Sequence, residues 1–539
     1  MSSLKRPVTF AAIAVGALAC WSARASAETC GTLAQLKLPD AKVETADAVA
    51  AGAFTPPKFP RAVPTAFCRV TGVITPTRDS TIRFELWLPA TGWSGRYESV
   101  GNGGFAGGIR YDEMFGPLAG GSAVASTDDG HNGPAVGPGS ATWALGHPEK
   151  IVDYGWRAVH LTAVTSKAIT TAFYARAPKY SYFSGCSKGG QEAFMEAQRF
   201  PDDFDGVIGG AAANQWTDLF SSFSWAEKMH LADRETYISA ADLTRVSAAV
   251  TAACDEGDGI RDGLVGDPLR CRLDPARMDL TPKQRAVMAA LYTGPQTTSG
   301  RRIYPGQAYG GEGVEWASVL SGPSFEEAPS IAQESMYGDG FFANFVYQDP
   351  SWTFRKFDID KTPAEARAKL GQILNAEDVA FAGFKARGGK FIQYHGLADA
   401  VVTPLGAVSY YDKVVAAQGR DGQGHGAPAA LAATQAFYRL FLAPGVGHCA
   451  GGPGPSQFGQ FGGDGDPQHD LMAALEQWVE KGVAPDQVIA TKYAVVDQQR
   501  AAVMTRPICA YPKVAFYSGS GDPKAAESFV CRAPGQSGL

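Results

Sequence analysis

A chain of 539 residues, 45% of them hydrophobic, has apolar material for one large core with an insertion or for several domains. Its formal net charge of −6 argues against nucleic acid or an anionic membrane surface as the main partner. The 63 glycines suit a globular α/β protein with many turns, and no block of like charge or internal repeat is present.

Residues 1–27 read as a secretion signal, set apart from the fold. Lys5 and Arg6 form a basic start, Phe10 to Cys20 a short apolar stretch, and Ala25-Ser26-Ala27 a cleavage site. The apolar run is too short for a permanent bilayer span. The mature chain is therefore expected to be secreted or periplasmic, with no membrane partner. Nine cysteines less Cys20 leaves eight, at 30, 68, 186, 254, 271, 449, 509 and 531. An even number in an exported chain reads as disulfides. Many pairings are open. Proximity along the chain suggests Cys30–Cys68, Cys254–Cys271 and Cys509–Cys531, which leaves Cys186 with Cys449. No Cys-x-x-Cys supports a zinc or thioredoxin-like reading.

Residues 28–75 hold the first cysteine pair and Pro-rich connections. Ile82, Phe84 and Leu86 alternate with polar neighbours over 80–89, as a strand does. A second strand, Tyr97 to Val100, runs into Gly101-Asn102-Gly103-Gly104. That run reads as a tight turn or as half of an oxyanion hole, since glycine lets a backbone amide approach a reacting oxygen. Val124 to His131 is a strand end entering a polar loop, with His131 as a loop histidine held by a structural partner. Residues 153–173 carry apolar side chains at helical spacing.

The stretch from Ser181 to Gly190 organises the chain. Gly185, Ser187 and Gly189 spell Gly-x-Ser-x-Gly between an aromatic, strand-like run and a helical one, Gln191 to Arg199. Strand, sharp turn and helix in that order are the context of a nucleophile elbow. Val207 to Gly210 supplies the next buried strand. The alternation of strand and helix over 101–210 indicates a largely parallel sheet.

From 214 to 388 that rhythm stops. The segment reads as an inserted lid, with helices over 240–253 and 363–374. Within it Asp255, Asp258 and Asp262 recur among glycines just after Cys254. Carboxylates and carbonyls converging in a flexible loop are calcium chemistry, although the spacing is not that of an EF-hand; a solvated Asp-Gly turn is the plain alternative. The sheet resumes at 390–393 and leads to Asp399. Another strand, 437–442, leads to His448 on a glycine-rich loop. The order Ser187, Asp399, His448 is that of an α/β-hydrolase. His395 competes with His448 for the role of base, but it precedes Asp399 in the same loop and is not expected to reach a hydrogen-bond geometry with it easily. A helix over 468–481, a strand-like stretch and the last cysteine pair complete the chain. A Cys186–Cys449 bridge, with Cα atoms about 5–6 Å apart, would hold Ser187 and His448 within reach of each other.

These residues resemble the tannase and feruloyl esterase family, which includes the bacterial mono(hydroxyethyl) terephthalate hydrolases. The resemblance runs from about Cys30 to Cys531. Its most specific parts are Gly185 to Gly190, Arg199-Phe200-Pro201-Asp202-Asp203-Phe204-Asp205-Gly206, the Ser126 to His131 loop, Cys254 to Asp262, and Gly447-His448-Cys449. It implies an α/β-hydrolase fold with a large inserted lid domain, disulfide-braced. The catalytic domain would be 28–213 with 389–539, and the lid 214–388. It implies a triad of Ser187, Asp399 and His448 and a structural Ca²⁺ held by Asp255, Asp258, Asp262 and the carbonyls of Ile260 and Leu264. The Cys254–Cys271 bridge would clamp that loop.

The amides of Lys188 and of Gly103 or Gly104 are expected to bind the oxyanion. Lys188 stands where family members often carry Thr, Gln or an acid. Val401-Val402 stands where terephthalate-ester hydrolases of the family present an aromatic clamp. Trp216, Phe341, Phe342 and Phe345, with Val401 and Val402, are the candidate pocket residues, and each of the four aromatics reads more readily as core. The expected function is a secreted serine carboxylic ester hydrolase of small aromatic esters, feruloyl, chlorogenate-type or galloyl. Alternatives are a mono(hydroxyethyl) terephthalate-type hydrolase, a non-catalytic calcium-stabilised binding protein on the same fold, and a peptidase. The oligomeric state stays open.

Overall fold

Short apolar runs pair into a nine-stranded sheet whose C-terminal strand ends carry every loop of interest. The computed structural model describes residues 29–419, 427–463, 465–496 and 499–534; the expected secretion signal, 1–27, lies outside the described residues. The strands are β1 (Ala41–Val49), β2 (Phe67–Ile74), β3 (Ile82–Pro89), β4 (Arg96–Val100), β5 (Ala123–Thr127), β6 (Tyr180–Cys186), β7 (Gly206–Gly210), β8 (Lys390–Gly396) and β9 (Tyr438–Ala443). Their spatial order is β1-β2-β3-β5-β4-β6-β7-β8-β9. Pairing is antiparallel from β1 to β5 and parallel across the remaining strands.

The antiparallel edge corrects the expectation of mere connections over 28–75. Val43, Phe67, Val70 and Ile74 are buried on it. Pairing of β1 with β2, and of β2 with β3, supplies the hydrogen bonds, a tertiary gain that local composition does not reveal.

From β4 the chain crosses to β5 on one side and later returns to β6 on the other. Connections leave in opposite directions at that point, so the carboxyl ends of β4 and β6 open a crevice between them. Successive side chains of the central strands fill opposite layers. Phe183, Val207, Phe391 and Leu440 pack on one face, with Phe194 of the helix Lys188–Arg199 and Tyr410 of the helix Pro404–Gln418. Tyr182, Ile208, Ile392 and Phe441 pack on the other, against Leu475 and Trp478 of the helix Leu471–Lys481.

Between β7 and β8 lies the insert, built of helices and loops around its own apolar core. After the sheet come two antiparallel pairs, β10 (Gln487–Val496) with β11 (Gln499–Cys509) and β12 (Val514–Tyr517) with β13 (Phe529–Arg532). All four expected disulfides form: Cys30–Cys68, Cys186–Cys449, Cys254–Cys271 and Cys509–Cys531.

Candidate active site

Ser187 sits between β6 and a helix that begins at Lys188, three residues earlier than its composition suggests. Its φ of +64° is rare for a residue with a side chain and is the strained geometry that lifts a hydroxyl out of a sheet. The turn closes so tightly that a Cβ on Gly185 would lie 2.7 Å from Gly189, which is why the flanking residues are glycines. Lys188 is the first helical residue, so its N–H has no partner within the helix and points where negative charge is favoured.

The loop after β4 is held from several sides. Asn102 donates its N–H to Glu192 Oε2 at 3.0 Å and its side-chain amide to the Thr127 carbonyl at 2.9 Å. Its carbonyl accepts the N–H of Gly189 at 2.8 Å. Tyr154 donates its hydroxyl to the Gly104 carbonyl at 2.5 Å. Gly103 and Gly104 therefore stand beside the elbow, on a loop tied to the elbow helix itself.

Beneath the elbow the Lys188 ammonium is fully buried. It donates to Glu192 Oε1 at 2.6 Å, lies 3.9 Å from Asp129 and 4.4 Å from the centre of the Tyr154 ring. Burial, and then the neighbouring Glu192 charge, push the Asp129 carboxyl well above its usual value. Lys188 pairs most closely with Glu192, and Asp129 stands at the edge of that pair. His131 holds the Phe105 carbonyl at 2.9 Å through Nε2 and stacks on Trp143. Burial lowers its pKa to about 4, so the ring is neutral.

On the far strands, His448 Nδ1 lies 2.9 Å from Asp399 Oδ2. Asp399 Oδ1 accepts the N–H groups of Val401 and Val402 at 2.8 and 2.9 Å. Burial alone would raise the Asp399 pKa, but the His448 charge and hydrogen bonds from His395 and His448 outweigh it and hold the carboxyl below its usual range. The group is therefore a carboxylate, and His448 is the donor. Burial opposes protonation of His448; Asp399 and, less strongly, Glu315 overcome it and raise its pKa above 6.5.

His395 departs from expectation. Its Nε2 reaches Asp399 Oδ2 at 3.2 Å and the Val402 carbonyl at 2.6 Å. The loop after Gly396 curls back far enough for the two side chains to meet. Cys186 and Cys449 join the elbow to the His448 loop with Cα atoms 5.9 Å apart.

The six candidate pocket residues are all buried. Trp216, Phe341, Phe342 and Phe345 lie in the core of the insert together with Val401 and Val402. That core begins at the loop after β4, where Phe105 packs against Trp216, Phe220, Tyr337 and Phe345.

In the acidic loop, Asp255 accepts from the N–H groups of Asp262 and Gly263, and Asp262 from that of Leu264. A residue outside the loop, the buried Arg506, pairs with both Asp258 and Asp262. Elsewhere, His160, Glu196 and Asp203 gather ligand-capable atoms within 4.8 Å. There Lys167 already donates to Asp203, and His160 stacks on Phe200.

Asn102, Tyr154, Glu192, Glu315 and Arg506 are the site neighbours that sequence reasoning missed, and His395 was noticed without its contact to Asp399. Only Glu192 carried a readable signal, its i,i+4 spacing from Lys188.

A parallel sheet with a strained serine elbow, an acid after β8 and a histidine after β9 defines an α/β-hydrolase. The sequence pattern of the family "Tannase and feruloyl esterase" matches residues 68–532. The chain belongs to that family and is a carboxylic ester hydrolase. It is 41% identical to an uncharacterised esterase of Xanthomonas campestris, over 96% of this chain and 93% of that protein. It is 33% identical to a probable feruloyl esterase B-1 of Aspergillus fumigatus, over 86% and 85% of the two chains. The crystal structure of feruloyl esterase B from Aspergillus oryzae superposes with a TM-score of 0.83 at 28% identity, covering 93% of this chain and 99% of that one.

Proposed function

We propose that the protein is an exported serine esterase that cleaves small esters of aromatic acids through an acyl-enzyme. The observation that carries the reading is the Asp399–His448 pair on a loop tied by Cys186–Cys449 to the Ser187 elbow. Ser187 gives its proton to His448 Nε2 as its oxygen attacks the ester carbonyl, and Asp399 stabilises the imidazolium that forms. The amides of Lys188 and of Gly103 or Gly104 receive the charge on the carbonyl oxygen. His448 passes its proton to the departing alcohol. Water, deprotonated by the same imidazole, then releases the acid.

The aromatic preference draws support from the relatives named feruloyl esterase. The insert acts as the lid. Export is supported by the four disulfides, which suit an oxidising compartment.

A structural Ca²⁺ belongs to this reading. Asp255, Asp258, Asp262 and the carbonyls of Ile260 and Leu264 offer oxygen ligands only, in a loop clamped by Cys254–Cys271. Arg506 offsets part of the negative charge of the three carboxyls. Burial pushes the Asp258 carboxyl up to about 7; the Arg506 charge opposes that shift and the Asp262 charge adds to it. Gly266 packs so closely that a Cβ there would sit 2.2 Å from Asp258 Oδ2. A hard cation there would have to draw in carboxylates that are turned to Arg506 and to backbone N–H groups, and it would lock the loop rather than take part in chemistry.

The test is hydrolysis of methyl ferulate, methyl gallate, chlorogenate and mono(hydroxyethyl) terephthalate. A burst of p-nitrophenol from an aromatic p-nitrophenyl ester is expected, and Ser187→Ala should lose roughly 10⁴-fold or more in kcat. Full activity in that variant would refute the mechanism. Turnover confined to aliphatic esters would refute the substrate class.

A further inference from the structure

Glu315, a residue of the insert, has one carboxylate that reaches both loops of the proposed acid–base pair. Its Oε1 accepts the N–H of His448 at 2.8 Å, and its Oε2 accepts the N–H of Ala400, the residue after Asp399, at 3.3 Å. The approach leaves no space for a side chain at Gly447, where a Cβ would lie 2.4 Å from Glu315 Oε1.

The same arm of the insert grips the acid loop elsewhere. Gln307 donates its side-chain amide to the Ala400 carbonyl at 3.0 Å, and Thr403 donates its hydroxyl to the Gly306 carbonyl at 2.8 Å. A Cβ on Gly311 would lie 2.8 Å from the Ala398 carbonyl. Residues 306–315 thus form a splint along 398–403, and Glu315 extends it to the histidine loop. Glu315 is half-buried, and no arginine or lysine pairs with it among the described ion pairs. Its charge faces the imidazole uncancelled by such a partner.

We propose that Glu315 is a positioning residue for catalysis: it locks the Asp399 and His448 loops into register from the insert and stabilises the His448 imidazolium as a second carboxylate. The proposal rests on the reading of Asp399 and His448 as acid and base. The titratable groups facing His448 are Asp399 from the loop after β8 and Glu315 from the insert, and His395 faces Asp399 from β8. The role differs from that of Asp399. Glu315 touches backbone amides rather than the ring, so it orients the loops that carry the reacting groups.

The experiment compares Glu315→Gln and Glu315→Ala with the wild type, reading kcat and KM across pH together with thermal melting. Hydrolysis needs neutral His448, so kcat/KM rises with pH through the His448 pKa, with a wild-type midpoint above 6.5. Losing the carboxylate charge moves that midpoint down by about half a unit or more. Losing one hydrogen bond to a charged acceptor lowers kcat about tenfold or more with KM little changed. Glu315→Ala, which leaves both amides without an acceptor, should be the worse variant.

The proposal is overturned if Glu315→Gln keeps wild-type kcat and midpoint. It is equally overturned if activity falls only in proportion to folded protein, with the midpoint unmoved. Ser187→Ala and His448→Ala run alongside. If either keeps activity, the triad reading has failed; if both are inactive while Glu315→Gln matches the wild type, this proposal alone has failed.

Discussion

At the scale of single residues, the site depends on buried charges that satisfy one another. Lys188 is the clearest case. As a letter after the serine it looks out of place. In the fold its ammonium closes an ion pair with Glu192, whose other oxygen holds the Asn102 amide. The elbow helix and the loop after β4 therefore share one carboxylate. Removing half of a buried pair leaves the other charge uncompensated. Lys188→Met is expected to lower unfolding stability by about 3–5 kcal/mol and to reduce kcat through the slackened Asn102 loop. The double variant Lys188→Met, Glu192→Gln should recover part of the stability in denaturant titrations but not the rate, because Asn102 still lacks its charged acceptor. The i,i+4 spacing was visible in the sequence. The reach from Glu192 to Asn102, ninety positions apart, was not, because a contact between the helix after β6 and the loop after β4 depends on how the two strands lie side by side.

At the scale of elements, the elbow and the histidine loop are joined by a covalent link between two strained turns. Ser187 has φ +64° and Cys449 has φ +65°. Without the bridge each turn is free to relax toward ordinary geometry. Cys186→Ser, Cys449→Ser is expected to cost about 2–4 kcal/mol of stability and to lower kcat more than it raises KM. Removing Cys30–Cys68, which joins the short N-terminal helix Cys30–Gln35 to β2, should cost stability while leaving kcat intact. Equal kinetic losses in the two double variants would show that the bridge at the elbow has no special role. Strands β3, β4, β6, β8 and β9 were legible because their apolar runs are bounded by glycine or polar turns. The edge pair β1 and β2 was not. Its residues alternate imperfectly, and the pairing of β1 with β2 and of β2 with β3, rather than propensity, makes them strands.

At the scale of the whole molecule, the insert is the part that spacing and composition described least. Its boundaries showed as a loss of strand–helix rhythm, and its aspartate loop showed as a motif. Arg506, arriving from β11 to pair with Asp258 and Asp262, 248 and 244 positions away, showed nowhere. That contact ties the C-terminal strands to the insert, so the proposed Ca²⁺ site lies between two distant parts of the chain. Chelation by EGTA is expected to lower the melting temperature. Restoring Ca²⁺ at a hundredfold excess over its Kd should return about 2–3 kcal/mol, and Asp255→Asn should blunt the response. An unchanged melting temperature would remove calcium from the account.

Primary structure was sufficient for the residues whose chemistry depends on local context. The serine needs its glycines next to it, the acid and base need the ends of strands, and cysteines close in sequence pair by short loops. It was silent on the groups that act across the fold. Glu315 and Arg506 sit in segments with no motif, and their carboxylate and guanidinium acquire partners only when the sheet stacks its strand ends and the insert folds down over them. Local geometry is encoded over a few residues, whereas electrostatic partnership depends on three-dimensional distance and burial, which a linear pattern does not contain.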